Sequence, residues 1–412
     1  MEAPPAPAAG TGSAPGEAVG PLLVERGRLR CLRLVDVGEE VDLDRALLAC
    51  SGAPAGEAAR GPGPQRPPGV FVFKHPPLDV ALGPRTVALE AGPGGVAAGG
   101  DGAVAPLTVA ASARVFDHGN LALRFDVPLA PGTPLAEVAA LAARLSRAPA
   151  LERLARDETR ALLALLGGAV SRHAEVGAAP GAPDDVEGYA LVLVDAFAGH
   201  PPGAEVLASE DLAWLLAGER CARPLAASER AELRRHVHAY LDDDLVAIGW
   251  DAALVLDPAG GGHDVAQVLE LACVQRQAMR FYDRVLDAEL TRIYDEVERA
   301  ARSPVRLLLW SPYARLTRRV HRRWLGLTEM AERVEASVEV VGDAWLARVY
   351  RGALERLRVA DWQQAVNRKH GLIARVYEAL RAQLEARRNT LLETAIVLLI
   401  VLEIVLALLK KV

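Results

Sequence analysis

The chain has few of the residues that usually mark a catalytic or metal centre. It contains four cysteines and nine histidines among 412 residues, and no two cysteines form a Cys-x-x-Cys pair. Cysteines this far apart are typical of thiols in a reducing compartment. Neither Gly-x-Ser-x-Gly, nor His-Glu-x-x-His, nor a Cys/His nucleophile arrangement occurs. The sequence therefore predicts no catalytic residue, no metal site and no cofactor, and it gives no positive case for an enzyme.

Aromatic residues and net positive charge are also scarce. Aromatics make up 5% of the chain, and the formal net charge of −6 argues against a general polyanion binder. The first 20 residues contain several prolines, an early Glu and no apolar core, unlike a secretory signal or an Arg-rich transit peptide. We expect residues 1–20 to be a disordered tail and the soluble part of the chain to stay in the cytoplasm.

The longest apolar run lies at the end of the chain, from Leu391 to Leu409. Only Glu393, Thr394 and Glu403 are polar within it. As a helix the run spans roughly 28 Å, close to the hydrocarbon thickness of a bilayer. Its Leu, Ile and Val residues supply on the order of −4 to −8 kcal/mol of insertion free energy, against roughly 3 kcal/mol for a charged Glu. The run predicts one C-terminal transmembrane helix. The alternative is a buried core helix or an oligomerisation helix of a soluble protein.

Glu393 and Glu403 are the candidate site residues within this predicted span. An ionisable group in a membrane span faces a partner helix or a polar cavity. The two residues are ten positions apart, roughly 80° around a helix, so both face broadly one side. A protonated Glu403 that hydrogen-bonds between identical helices predicts a homo-oligomer, and a functional role in a polar cavity stays open.

The spacing of apolar residues divides the rest of the chain into three parts. It predicts a β-rich α+β domain at 21–130, a mixed α/β segment at 131–258 and a helical or coiled-coil region at 259–390. The expected fold class is α+β. A strand-containing N-terminal and middle body is followed by a C-terminal long-helix hairpin or coiled-coil stalk and by one transmembrane helix at 391–409.

Individual elements follow from the same periodicities and from turn and cap signals. We predict strands at 28–35, 69–73, 86–89, 107–110, 113–116, 121–127, 188–197, 245–248 and 252–256. We predict helices at 43–50, 134–167, 209–216, 228–240, 264–300 and 327–358, and a last helix from 359 onward. The first strand is expected to be half buried, with its basic residues facing solvent. His118-Gly119-Asn120 is expected to form the turn of a hairpin.

A basic run follows the first long helix. Residues 302–323 hold seven arginines and no acidic residue. This pattern favours contact with anionic lipid headgroups or with RNA phosphates, and a solvated helix face is equally compatible with it. The candidate basic patch consists of Arg306, Arg315, Arg318, Arg319, Arg322 and Arg323.

A glycine-rich loop, Gly260 to Gly262, joins a predicted strand to a predicted helix. This order is where proteins cradle phosphates. The loop lacks a following Lys-Ser/Thr and any Gly-x-Gly-x-x-Gly spacing, so an ordinary strand-to-helix turn is the stronger interpretation.

The C-terminal third resembles the "required for meiotic nuclear division" proteins, a membrane-anchored family of unknown function. The resemblance rests on Asn367 in a heptad helix, the basic stretch Glu385 to Arg388, Leu392-Glu393 and Leu402-Glu403. VAQVLELACVQRQAMRFYDRVLDAEL and GVFVF are similar to earlier elements of that family, although KHPPLDV replaces its Tyr-Gly turn. The resemblance identifies the chain as a divergent bacterial relative. It implies a membrane-anchored, self-associating protein without catalytic residues, and mitochondrial relatives support organellar translation.

These observations favour a non-enzymatic, tail-anchored membrane protein. We expect it to self-associate and to act as a scaffold on the cytoplasmic face of the cell inner membrane. One alternative is a membrane-proximal RNA- or ribosome-binding factor that supports translation. Another is a phosphate-chemistry enzyme that uses the Gly260 to Gly262 loop. No small-molecule substrate is identified.

Overall fold

The structure, a computed structural model, describes part of the chain. The described residues are 21–51, 58–60, 72–73, 75–89, 105–171, 186–218, 225–260, 262–301, 338–339 and 344–409. Their helices are α1 (Leu43–Ser51), α2 (Leu135–Arg147), α3 (Pro149–Leu166), α4 (Gly203–Ala208), α5 (Glu210–Ala217), α6 (Ala227–Leu233), α7 (Gly262–Ala301), α8 (Ala344–Arg356) and α9 (Val359–Leu409).

The strands form one large sheet and two short pairs. They are β1 (Leu23–Asp36), β2 (Glu40–Val41), β3 (Ala58–Arg60), β4 (Val72–Phe73), β5 (Leu78–Leu89), β6 (Ala105–Val115), β7 (Asn120–Pro128), β8 (Thr133–Pro134), β9 (Val170–Ser171), β10 (Glu187–Phe197), β11 (Val237–His238), β12 (Leu245–Ile248), β13 (Ala252–Leu256) and β14 (Val338–Glu339).

The large sheet has ten strands in the order β11-β12-β13-β10-β1-β7-β6-β5-β3, with β8 paired to the start of β1. β1 is central and antiparallel to both neighbours, so that Leu32 lies between Arg124 of β7 and Tyr189 of β10. β10 and β13 run parallel, while the other pairs are antiparallel. Strands from the predicted segments 21–130 and 131–258 therefore share one sheet.

Helices cover both faces of this sheet. Leu29, Cys31 and Val35 of β1 point to the face covered by α1, α2, α3 and α5. Leu32 and Leu34 point to the opposite face, covered by α7, α8 and α9. Because side chains alternate along a strand, β1 supplies both hydrophobic cores at once. The prediction that this strand is half buried was wrong, since residues 29–36 are all buried.

The coarse α+β class and many elements are confirmed. β12 and β13 have the predicted bounds, and Asp42 caps α1 by accepting hydrogen bonds from the amides of Asp44 and Arg45. Gly119, at φ +81°, forms the predicted hairpin turn between β6 and β7. A Cβ at this position would lie 1.6 Å from the carbonyl oxygen of Gly38, so only glycine fits there.

Five predicted elements differ from the structure. The strands at 107–110 and 113–116 are one continuous strand, β6, because it pairs along its length with β5. The helix at 134–167 is two helices, divided where Pro149 begins α3. The helix at 228–240 ends at Leu233, since the following residues form β11 against β12. In the segment predicted as a helix at 327–358 the structure describes β14 and α8, while residues 327–337 and 340–343 lie outside the described residues.

Candidate functional site

α7 lies across the sheet with polar side chains facing the strands. On its sheet-facing side Gln267, Glu270 and Gln277 are buried. Gln267 Nε2 lies 2.6 Å from Nε2 of His263, one turn earlier on the same helix. Buried polar groups require hydrogen-bond partners. Polar side chains of β1, β5, β6 and β7 lie on this face of the sheet and form further hydrogen bonds there.

Two arginines from neighbouring strands and two carboxylates form what we call the arginine–carboxylate layer. Arg124 of β7 donates from Nε and Nη2 to the two carboxylate oxygens of Glu270, both at 2.7 Å. Arg114 of β6 binds Asp79 of β5 in the same bidentate way, at 2.7 and 2.6 Å. Arg124 Nη1 also donates to Asp79 at 3.1 Å, so the two pairs are connected. Bidentate pairs of this kind are strong and directional.

The layer shifts the pKa values of Arg124 and Asp79 toward their charged forms. Burial disfavours the charge on Arg124, but the carboxylates of Glu270 and Asp79 outweigh it and raise its pKa. Burial also opposes ionisation of Asp79, but hydrogen bonds and attraction from Arg114 and Arg124 lower its pKa. Arg30 and Asp126 form a further bidentate pair on the same face, at 2.7 Å for each bond. The charges of these three arginines and three carboxylates balance.

A series of hydrogen-bonded neutral side chains extends the contact between the sheet and α7. His118 Nδ1 lies 2.8 Å from Asn120 Oδ1, and Asn120 Nδ2 donates to Oε1 of Gln277. All three side chains are buried, and burial lowers the pKa of His118, which keeps the imidazole neutral near pH 7. The predicted hairpin turn thus bonds directly to the middle of α7.

On the other side of α7, the carboxylate of Glu187 forms ion pairs with two arginines. Arg276 Nε lies 3.3 Å and Arg280 Nη1 2.9 Å from its carboxylate oxygens. The guanidinium of Arg276 also lies 5.8 Å from the ring centre of Tyr189 and 5.7 Å from that of Trp250. These contacts fix α7 against β10 by charge and by cation–π attraction.

This arrangement can hold α7 in one register, but it shows no chemistry of an active site. Each arginine of the layer is matched by a carboxylate, which leaves no excess charge for an anionic substrate. Burial raises the pKa of the thiols of Cys31 and Cys273 to about 12, so neither is a nucleophile near neutral pH. In the described ranges, no three His, Cys, Asp or Glu side chains gather as metal ligands do.

α9 joins this body to the C-terminal apolar run. Val366 and Ile373 are buried against α7, and Nζ of Lys369 lies 2.6 Å from carboxylate oxygens of both Asp283 and Asp287. Burial lowers the pKa of Lys369, but the two carboxylates raise it by more, so the pKa increases overall. The predicted long helix is therefore confirmed, but it packs mainly on α7 rather than on the helix immediately before it.

Beyond residue 391 the described apolar side chains of α9 are exposed. Leu398, Leu399, Ile400 and Val401 are between 50% and 65% exposed, and the predicted site residues Glu393 and Glu403 are exposed on the same helix. Among the described residues, no helix combines the length and apolarity needed to cross a membrane. The predicted transmembrane helix therefore has no support from that criterion.

Of the other two sites predicted from the sequence, the structure describes the glycine-rich loop in part and does not describe the basic patch. The basic patch, with Arg306 as its first member, lies outside the described residues. At the glycine-rich loop, the amide of Gly260 bonds to the carbonyl of Asp257 at 3.3 Å, and the Asp257 carboxylate accepts from the amide of Ala259 at 2.9 Å. These bonds form a turn that follows β13, and the middle residue of the loop, Gly261, lies outside the described residues.

Residues 26–263 match the family described as the N-terminal domain of uncharacterized protein MJ0711. The match covers more than half of the chain, which therefore belongs to this family. It includes the strands from β1 to β13 and ends in the first turn of α7.

A curated relative is the uncharacterized protein MJ0711 of Methanocaldococcus jannaschii, which is 26% identical over 179 residues. The aligned region is 43% of this chain and 53% of the relative, so the chain spans about half the length of the protein it matches. No solved structure matches the chain. The matched family gives no link to the "required for meiotic nuclear division" proteins.

Proposed function

We propose that the protein is a non-enzymatic scaffold that residues 391–409 anchor to the cytoplasmic face of the cell inner membrane. The exposed apolar end of α9 is the observation that carries this proposal. Leu398, Leu399, Ile400 and Val401 are successive residues, each rotated by 100°, so apolar surface surrounds the helix. Exposed apolar surface costs about 25 cal/mol per Å² in water. Lipid tails would remove that cost on every side at once.

The coupling between anchor and body supports a scaffold. α9 is one helix of 51 residues, and its first half binds α7 through buried apolar contacts and through Lys369. α7 is in turn joined to the sheet by the arginine–carboxylate layer. A stiff connection of this kind would hold the body at a fixed orientation above a bilayer, as a platform for partners.

Self-association is the second part of the proposal. An apolar helix with one acidic residue in its middle favours pairing with an identical helix, in which protonated Glu403 donates to its counterpart. The resemblance of the tail to the "required for meiotic nuclear division" proteins is consistent with this arrangement.

Detergent-extracted protein should have the mass of a discrete oligomer by light scattering. Glu403→Leu should lower that mass without releasing the protein from membranes, and an unchanged oligomer would contradict the role given to Glu403.

Membrane anchoring is tested by removing residues 390–412. The truncated chain should move to the soluble fraction, because the remaining part of α9 buries Val366 and Ile373 against α7. Continued sedimentation with membranes, resistant to high salt, would contradict the proposal. Glu403→Leu is the matched control and should stay with the membrane fraction.

A second candidate is binding of RNA or ribosomes near the membrane. It rests on the arginine-rich, acid-free run at 302–323. Phosphate contacts release counterions, so such binding should weaken steeply as salt rises. Replacing the six arginines of the basic patch by Ser should abolish RNA retention, and retention by that variant would rule this candidate out.

A further inference from the structure

A cavity of about 260 Å³ lies between α2, α5 and the ends of β10 and β13, on the sheet face opposite α7. Packed interiors leave few voids larger than one water molecule, which occupies about 30 Å³. This cavity is several times larger, and it is open enough for solvent to enter. It is separate from the arginine–carboxylate layer and from α9.

Small residues create the cavity. Ala139, Ala142 and Ala143 of α2 face Gly188 and Ala190 of β10 across it. An added Cβ on Gly188 would lie 2.8 Å from Nη1 of the buried Arg33, so a larger side chain there would have to displace Arg33. A sheet face covered by helices normally carries large apolar residues, so this concentration of Ala and Gly leaves room for a compact molecule.

The helix ends beside the cavity are already neutralised. Nη2 of Arg33 donates to the carbonyls of Leu145 and Ser146 at the end of α2, at 2.8 and 3.0 Å. The amide of Gly218, in the left-handed conformation, closes the end of α5. The fixed partial charges of both helix termini are therefore satisfied by the protein itself.

Two exposed residues of opposite charge, Arg147 and Asp251, line the cavity near Gly218. Nη2 of Arg147 donates to the Gly218 carbonyl at 3.2 Å. A carboxylate oxygen of Asp251 lies 4.0 Å from the position of a Cβ on Gly218. Among the described residues, the Asp251 carboxylate accepts no hydrogen bond and forms no ion pair. A guanidinium suits a carboxylate, and an aspartate suits an ammonium group.

We propose that this cavity binds a small zwitterion, a free α-amino acid with a compact side chain. Its ammonium group would bind Asp251, its carboxylate would bind Arg147, and its side chain would contact the alanines of α2. The volume lies just below the range of about 300–1,000 Å³ typical of sites for drug-sized ligands, which favours a ligand of a few heavy atoms.

The test is calorimetric titration of the full-length protein in detergent with glycine, alanine and serine. Alaninamide and N-acetylalanine, which each lack one of the two charges, are the matched ligands. Alanine should bind, and both derivatives should bind at least about tenfold more weakly, since a hydrogen bond to a charged group contributes about 1.5–3 kcal/mol. Absence of binding by all three amino acids at millimolar concentration would overturn the proposal.

Variants separate this cavity from any other binding surface. Asp251→Asn and Arg147→Gln should each weaken binding of alanine about tenfold or more. Ala143→Leu should abolish it by filling the cavity, whereas Ala140→Leu, on the exposed side of the same helix, should leave it unchanged. Equal binding by the two leucine variants, or binding of alaninamide as tight as that of alanine, would contradict the assignment.

Discussion

Removing the charge of Glu270 should destabilise the protein strongly, although Glu270 lies far from the apolar tail. Its carboxylate accepts two bonds of 2.7 Å from Arg124 and is 1% exposed. In Glu270→Gln the amide would present donors to a guanidinium that has only donors. Breaking a buried ion pair on one side costs about 3–5 kcal/mol, and the remaining bond from Arg124 to Asp79 places the expected loss near the lower end, about 3 kcal/mol.

Urea unfolding followed by circular dichroism measures this loss. With a urea dependence of about 3 kcal/mol per molar or more for a chain of this size, the midpoint should fall by up to about 1 M. Glu205→Gln, the same change at an exposed position of α4, is the matched control and should stay within about 0.5 kcal/mol of the parent. Replacing both Glu270 and Arg124 by Met should cost less than Glu270→Gln, because no unpaired charge remains. Equal midpoints for Glu270→Gln and the control would refute the stabilising role of the layer.

Three further predictions concern other contacts. A Cβ on Gly352 would lie 2.1 Å from Nε2 of His238, so Gly352→Ala should loosen the packing of α8 on β11. The amides of α8 should then exchange hydrogen faster, and an unchanged exchange rate would contradict this prediction. The folded-state pKa of Asp79 is lowered from 3.8, so its stabilisation is complete above that pH and is lost as pH falls through the lower folded value. Asp79→Asn should therefore flatten the acid limb of a stability–pH curve, and an unaltered limb would argue against this linkage. Lys369→Gln removes both ion pairs from α9 to α7. We expect the free energy of unfolding, measured by thermal unfolding, to fall by about 1 kcal/mol and α9 to be digested faster by a protease. Unchanged digestion would show that apolar contacts alone hold α9 on α7.

Local patterns predicted the elements whose determinants are close together in sequence. The short apolar runs of β12 and β13, the Asp42 cap and the hairpin at Gly119 each depend on neighbouring residues, and each was predicted correctly. The long helix α9 also follows from its heptad pattern, although Lys369 and Gln383 interrupt that pattern. Where a tertiary partner decides the outcome, prediction failed, as when β12 pairs with β11 and ends the preceding helix at Leu233.

The arginine–carboxylate layer could not be predicted because its partners are distant in sequence. Arg124 and Glu270 are separated by 146 residues, and Arg30 and Asp126 by 96. Alternating basic residues in the first strand indicated a solvent-facing side, whereas both sides of β1 are covered. One signal was available: Gln267 and Glu270 interrupt an otherwise apolar stripe of α7 at helical spacing. Such residues indicate buried polar partners on the opposing surface.

The most direct test of anchoring is the accessibility of cysteines placed on α9 and on the body. Leu399→Cys and Leu48→Cys replace leucines that are 65% and 75% exposed in the structure, the first on the apolar end of α9 and the second on α1. The full-length protein is reconstituted in vesicles and treated with a charged maleimide on both sides of the bilayer. Labelling of each variant is measured relative to the background labelling of the unaltered chain. We expect rapid labelling of Leu48→Cys, and labelling of Leu399→Cys only after denaturation, because lipid covers it. Equal labelling of both cysteines in intact vesicles would show that the apolar end of α9 remains in water and would contradict the membrane-anchored scaffold.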